Sequence, residues 1–212
     1  MPSITPPTTI LRLAKEEELE TIATLHATAL DDDPISDLLF VDPFVNRKSD
    51  WIKGAKEEFE RGDDTIWVLE CTVTGQIIGE AWVRTYDKDN QPEPRSDQVP
   101  EGFKKEEYAK IFGTLNPLSQ ELMDKYGKFM YLREFAILPG YQQQGLGERL
   151  LLHVIELAKK EKLNIALTAN AGKSPFYEKF GFREMGAPIM LGPDNNINGG
   201  ASMLCELFPA GI

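Results

Sequence analysis

The segment best equipped for chemistry is Gln142-Gln143-Gln144-Gly145-Leu146-Gly147, which follows the apolar run ending at Ala136-Ile137 and the punctuation Pro139-Gly140, and opens a long helical pattern. The first N–H groups of a helix have no partner one turn back. Glycines at the helix start let the backbone turn tightly and let a ligand approach the main chain. Successive amides at the positive end of the helix dipole then make an anion site suited to a pyrophosphate. Two familiar phosphate loops do not match. A P-loop needs Lys followed by Ser or Thr after its second glycine, and Glu148-Arg149 stand there. A dinucleotide fingerprint wants glycine or alanine at position 150, which is Leu150, and the segment lies late in the chain.

Composition removes other chemistries. The 212 residues, with 42% apolar and 27% charged residues, describe one ordinary globular domain. The formal net charge of −11 excludes nucleic acid as a partner and suits a cationic substrate such as an amine. The two cysteines, Cys71 and Cys205, read as reduced, buried thiols. Neither His26 nor His153 sits beside them, so no metal site is expected. No apolar run reaches the roughly 18 residues of a membrane span, so no membrane role is expected. The first residues lack the marks of a secretory or transit peptide. Residues 1–8 therefore read as a loose lead, and the expected location is cytoplasmic, or nuclear.

Periodicity supplies the elements that must position the turn. Ile10–Leu13 reads as a strand. Lys15–Leu30 reads as a helix, with Leu19, Ile22, Ala23, Leu25, His26 and Ala29 at helical spacing, stopped by Asp31-Asp32-Asp33-Pro34. A second helix is expected over about 47–61. Thr65–Cys71 and Gln76–Arg84 read as a hairpin. Residues 86–128 break the pattern: a polar loop with Pro92, Pro94 and Pro100, then short helices over 106–112 and 117–126. Phe129–Ile137 is the strongest strand and 145–160 the strongest helix, with Leu146, Leu150, Leu151, Val154, Leu157 and Ala158 on one face. A strand over 164–168, a short helix over 174–180 and strands over 182–191 and 202–208 complete the chain. This order predicts a mixed α/β (α+β) domain spanning 9–208, with about seven mostly antiparallel strands and helices on both faces.

Three signatures together resemble the GNAT superfamily of N-acetyltransferases. Gln142-Gln-Gln-Gly145-Leu-Gly147, after Ala136-Ile137 and Pro139, matches that family's Gln/Arg-x-x-Gly-x-Gly/Ala turn. Phe176-Tyr177-Glu-Lys-Phe-Gly-Phe182 resembles its second signature, and Asp32-Asp33-Pro34 with Leu38-Leu39-Phe40 resembles the loop between the first two helices of many small-molecule members. The resemblance covers roughly 9–208 and is strongest over 130–182.

The resemblance implies that acetyl-CoA is the cosubstrate, with no metal. The fourth strand would splay from the fifth, and the pantetheine arm would pair with the main chain of Phe135 and Ile137. Gln142, Gln143, Gln144, Gly145, Leu146 and Gly147 would cradle the pyrophosphate, and Asn170 and Phe176 would flank the pantetheine and thiol end. Tyr177 would donate a proton or hydrogen bond to the departing thiolate, and main-chain N–H near Ile137 would polarise the thioester carbonyl. The general base is open. Strand alternation puts Tyr131, Arg133, Phe135 and Ile137 on one face and Glu134 on the other. Glu80 on the neighbouring strand is a second candidate, and an ordered water chain a third. The implied reaction is direct acetyl transfer to a primary amine, of a small molecule in the first reading, with 86–128 as an acceptor-side lid. The alternatives are an acyl-CoA-binding module without transfer, or a transferase acting on a protein N-terminus or lysine. Oligomeric state is not legible.

Overall fold

A computed structural model describes residues 7–31, 33–62, 64–91, 99 and 101–209. The expected loose lead lies largely outside these residues, as do Asp32 and most of the polar stretch 92–100. Seven strands form one sheet in the order β1-β2-β3-β4-β5-β7-β6. They are β1 Thr9–Leu13, β2 Asp64–Cys71, β3 Ile77–Tyr86, β4 Phe129–Ile137, β5 Ile165–Asn170, β6 Arg183–Leu191 and β7 Ile197–Cys205. Every neighbouring pair is antiparallel except β4 and β5, which run parallel.

Among the described residues, six α-helices cover both faces: α1 Leu19–Ala29, α2 Pro34–Leu39, α3 Pro43–Arg61, α4 Lys105–Tyr126, α5 Leu146–Glu161 and α6 Ser174–Glu178. The apolar stripe of α5 is the main core on one face. Leu150, Leu151, Val154 and Ala158 are fully buried against Ile78, Leu132, Ile165 and Leu167. Burying each such leucine or valine is worth about 1.5–3 kcal/mol. On the opposite face Leu19, Ile22 and Ala23 of α1 and Trp51 and Ala55 of α3 pack on Ile66, Val68 and Trp82. No helix among the described residues is long and apolar enough to cross a membrane.

The structure departs from the sequence reading at four elements. The first expected helix begins as a 3-10 turn over Glu16–Glu18, and α1 starts at Leu19. Asp31 to Pro34 does end it, but Asp33 then caps α2, accepting the Ile35 N–H at 3.1 Å, with Pro34 in the first turn, where its missing N–H costs nothing. The two short helices expected after residue 105 are one continuous helix with Pro117 inside it. Proline removes one bond and crowds the carbonyl four residues back. That residue is Gly113. Packing at both ends of α4 outweighs the lost bond: Ile111 and Leu115 join Ile35, Leu39 and Ile189, while Leu122 and Met123 pack on Tyr86, Phe129 and Ala166.

The last strand begins at Ile197, because Gly199-Gly200 lie within β7 and not in the expected loop. A Cβ on Gly200 would meet the Ala169 carbonyl oxygen at 2.1 Å, and one on Gly199 would meet Leu191 at 2.7 Å. The glycines serve close approach of backbones inside the sheet.

Glu107 pins α4 to the β6–β7 turn. Its carboxylate accepts Lys110 Nζ at 2.9 Å and the Gly192 N–H at 2.9 Å. Burial alone would raise this carboxyl, but the Lys110 ammonium and the Gly192 N–H hold it below its ordinary value. A carboxyl lowered in the folded state contributes stability at neutral pH that is lost as pH falls through the acid range. Glu107→Ala, which strands the Gly192 N–H, is expected to cost about 1–3 kcal/mol by denaturant unfolding at pH 7. The difference from wild type should narrow at acid pH.

Candidate active site

β4 and β5 pair over only Met130↔Ile165, Tyr131↔Ala166 and Leu132↔Leu167. Beyond that, β4 runs on to Ile137 and β5 to Asn170 without pairing, so the sheet opens. On its other edge β4 stays joined to β3, and Leu138 N–H donates to Ile78 O at 3.0 Å. Alternation along the strand therefore turns the N–H and C=O of Phe135 and Ile137 towards the opening. The Ile137 carbonyl accepts from the Gln142 side chain.

A second irregularity sits in the same strand. Val83 pairs with Leu132 and Trp82 with Glu134, so Arg133 is an extra residue, a β-bulge. The bulge exchanges faces along β4. Met130 and Leu132 point to the α5 side before it, and Phe135 and Ile137 point there after it. Tyr131 and Glu134 both reach the opposite side, where they line one cavity. The expected single-face alternation of Tyr131, Arg133, Phe135 and Ile137 is thereby corrected. The bulged Arg133 is anchored, donating to Asp64 at 2.7 Å with its guanidinium 4.7 Å from the Trp82 ring centroid. Asp64 also takes Arg84.

The glycine turn stands at the α5 side of the opening. Gln143 (φ 59°) and Gly145 (φ 78°) are left-handed, and α5 starts at Leu146. The first helical bond runs from Arg149 N–H to Gly145 O at 3.0 Å, leaving the N–H groups of Leu146, Gly147 and Glu148 without a carbonyl one turn back. Gln142 Nε2 donates to Ile137 O at 2.9 Å, and Gln144 Nε2 to Gly140 O at 3.1 Å, so these two side chains brace the turn. A Cβ at Gly147 would touch Phe176, Ile137 and Phe135 at only 3.7–3.8 Å. The turn thus faces the opening beside those residues. Alternating backbone conformations, unpaired amides and a free strand edge all suit a pyrophosphate with an extended amide-bearing arm.

Phe135, Phe176 and Tyr177 form an aromatic cluster, with the Phe176 and Tyr177 ring centroids 5.0 Å apart. Tyr177 is 8% exposed, and burial pushes its phenol well above the ordinary value, so it stays a proton donor. Asn170 lies across the opening. Its Nδ2 donates to Asp33 Oδ2 at 2.5 Å, tying the end of β5 to the cap of α2. Asn170 thus faces the α2 side, where it lines the cavity, while Phe176 packs with Phe135 on the α5 side.

The cavity on the far side of the sheet has a volume of about 330 Å³. Its roof is α2 with Ile35 and Leu39, then Phe40, and residues 103–115 with Phe103, Ile111, Phe112 and Leu115. The two parts are stitched together. Phe40 and Phe103 form an antiparallel bridge with ring centroids 4.4 Å apart, Lys104 N–H donates to Leu39 O at 2.7 Å, and Val41 N–H to Gly102 O at 2.9 Å. The floor carries Tyr131, Glu134, Thr168 and Asn170. Tyr131 is bonded to Thr168 at 2.8 Å, and burial pushes its phenol up to about 12.

His26 of α1 reaches the polar end. Its Nδ1 lies 2.7 Å from Glu80 Oε1 and its Nε2 3.2 Å from Glu134 Oε2. Glu80 is fully buried and Glu134 half-buried, so the two carboxylates expected as alternatives belong to one cluster. Sequence reasoning had placed His26 among the apolar face of its helix. The signal was there: a histidine in register with core residues needs a buried polar partner, and Glu80 is a carboxylate in a strand otherwise apolar around it.

The sequence profile of the Acetyltransferase (GNAT) family matches residues 29–182. The chain belongs to that family. No curated protein sequence matches it. Among solved structures it is similar to mosquito arylalkylamine N-acetyltransferase like 5b (18% identity, 93% of this chain and 98% of that one, TM-score 0.67). It is also similar to the Drosophila melanogaster polyamine N-acetyltransferase (14%, 93% and 97%, TM-score 0.65). A third is the PaiA N-acetyltransferase of Thermoplasma acidophilum in complex with coenzyme A (13%, 93% and 98%, TM-score 0.57). At these identities the likeness is one of fold.

Proposed function

We propose that this GNAT family member transfers the acetyl group of acetyl-CoA directly to a primary amine of a small molecule. The observation that carries the reading is the opening between β4 and β5, with an anion-binding turn on one side and a roofed amphipathic cavity on the other. Acetyl-CoA would supply an activated thioester. The amides of Leu146, Gly147 and Glu148 would hold its pyrophosphate, and the exposed edge of Phe135 and Ile137 would pair with its pantetheine arm.

The acceptor would lie in the cavity with its amine towards Glu134. A small molecule is favoured over a protein terminus or lysine because α2 and residues 103–115 close over the cavity and are bonded to each other. Aromatic and aliphatic roof residues favour an acceptor with an apolar body. Two of the similar structures bear the names of enzymes acting on small amines, an arylalkylamine and a polyamine. Holding amine and thioester in one geometry supplies much of the acceleration. Tyr177, kept protonated by its burial, would donate to the departing thiolate. A screen of aromatic, aliphatic and polyamine acceptors with acetyl-CoA, read by thiol release, tests the reading. Release with an apolar amine supports it. Acetyl-CoA binding with no release for any amine points to a binding module instead.

Two substitutions separate the parts. Gly147→Glu places a carboxylate at the turn where the backbone tolerates a Cβ, so the fold should persist. The dissociation constant for acetyl-CoA, by calorimetry, should rise at least about tenfold, or about 1.4 kcal/mol. An unchanged constant in a folded variant would remove the pyrophosphate from this turn. Tyr177→Phe should lower kcat about 10- to 1,000-fold while leaving acetyl-CoA affinity near wild type. Full turnover in that variant would make Tyr177 a packing residue.

A further inference from the structure

We infer that His26, Glu80 and Glu134 form a proton relay that deprotonates the acceptor amine, with Glu134 and His26 as the accepting groups and Glu80 as the positioning residue. The inference rests on the transfer reading above. An amine bound at neutral pH is an ammonium, and it cannot attack a carbonyl until it loses a proton. The cavity places Glu134 Oε2 and His26 Nε2 3.2 Å apart at its polar end, within reach of sharing one proton. Behind them, Glu80 Oε1 holds His26 Nδ1 at 2.7 Å.

The geometry sets the tautomer. Glu80 is fully buried, and its other oxygen, Oε2, has no hydrogen-bond partner among the described residues. A carboxylate in that position needs the Nδ1–H as donor, which leaves Nε2 as the atom that can take or release a proton towards Glu134. A positive charge on the imidazole is stabilised from both sides by carboxylates, and Trp51 stacks on the ring with centroids 5.8 Å apart and an interplanar angle of 24°. Among the described residues, Asp33, which accepts from Asn170, and Arg133, which is paired with Asp64, also line this cavity. Arg84 of β3 is held by the same Asp64.

The protons balance as follows. The ammonium gives one proton to Glu134 or Nε2, and the neutral nitrogen attacks the thioester carbon. The C–N bond forms, the C–S bond breaks, and the nitrogen loses a second proton as the amide is made. Of the two protons that leave nitrogen, one ends on the thiolate by way of Tyr177, whose phenol donates to the sulfur and is reprotonated in turn, and the other leaves through the cluster to water. Sharing the incoming proton between Glu134 and His26 spreads the charge over two groups, so any apparent titration belongs to the pair.

The test uses full-length protein, with 2-phenylethylamine as acceptor and His26→Gln, Glu134→Gln and Glu80→Gln as variants. At neutral pH, His26→Gln and Glu134→Gln should each lower kcat about 10²- to 10⁴-fold with acetyl-CoA affinity unchanged. The deficit should shrink as pH rises, because an amine that arrives neutral needs no base. It should also shrink for a weakly basic arylamine such as 4-anisidine. Glu80→Gln should lower kcat less and move the acid limb of the rate profile. A deficit equal at all pH values and for both amines would overturn the relay.

A second readout needs no turnover. The chain has two histidines, His26 and His153, so ring ¹⁵N spectra are assigned by comparison with His153→Gln. They should give Nδ1 of His26 as the protonated nitrogen in the neutral ring, with a titration that changes in Glu134→Gln and in Glu80→Gln. A His26 titration indifferent to both carboxylates would overturn the cluster itself. Failure of every amine in the wild type, with this titration as expected, would instead count against the transfer reading.

Discussion

Three residue pairs join β4 to β5, and then the strands part. The site depends on that divergence. A strand inside a sheet normally satisfies both edges with neighbours, so leaving the main chain of Phe135 and the N–H of Ile137 unpaired by a strand is tolerable only with water or a ligand there. The surroundings hold the opening in place. β3 keeps its grip on the far edge of β4, α5 packs beneath it, and Gln142 braces the end of the strand through the Ile137 carbonyl. The parallel step between β4 and β5 also requires a crossover, and α5 is that crossover. The same connection that makes the pair parallel therefore delivers a helix N-terminus to the mouth of the gap.

The β-bulge at Arg133 is the second constraint. Without the extra residue, the face of β4 that carries Tyr131 would carry Phe135 and Ile137 after it, and Glu134 would lie under α5. With it, the apolar residues Phe135 and Ile137 pack with Phe176 on the α5 side while Glu134 reaches the cavity and His26. A bulge beside a site, re-aiming a side chain, is a recurrent use of this irregularity. The chain spends charge to hold it: Asp64 binds both Arg133 and Arg84, and Trp82 lies under the Arg133 guanidinium.

Much of this was legible in the sequence because it is local. Gly145, Gly147 and the apolar stripe of α5 announce the turn and its helix, and β4 is found at the residues that periodicity assigns. The Phe176-Tyr177 signature marks a helix that the structure puts beside the opening. What was not legible depends on distant partners. Strand alternation cannot foresee an extra residue, so Glu134 was placed on the wrong relation to its neighbours. His26 has the spacing of a core residue, and only the fold brings Glu80, far along the chain, to its Nδ1. Pro117 reads as a helix break because local propensity says so. The packing of both halves of α4 overrides it. Gly199-Gly200 read as loop because their reason, contact with Ala169 and Leu191, is tertiary.

The central claim is that the gap between β4 and β5 and the turn beside it hold the cosubstrate, while the roofed cavity does not. Amide hydrogen exchange, read by mass spectrometry with and without acetyl-CoA, tests this most directly. The account predicts new protection in peptides covering 133–138 and 142–149, with residues 35–40 and 103–119 left near their unliganded rates. Protection confined to the roof segments, with the gap and the turn unchanged, would contradict it.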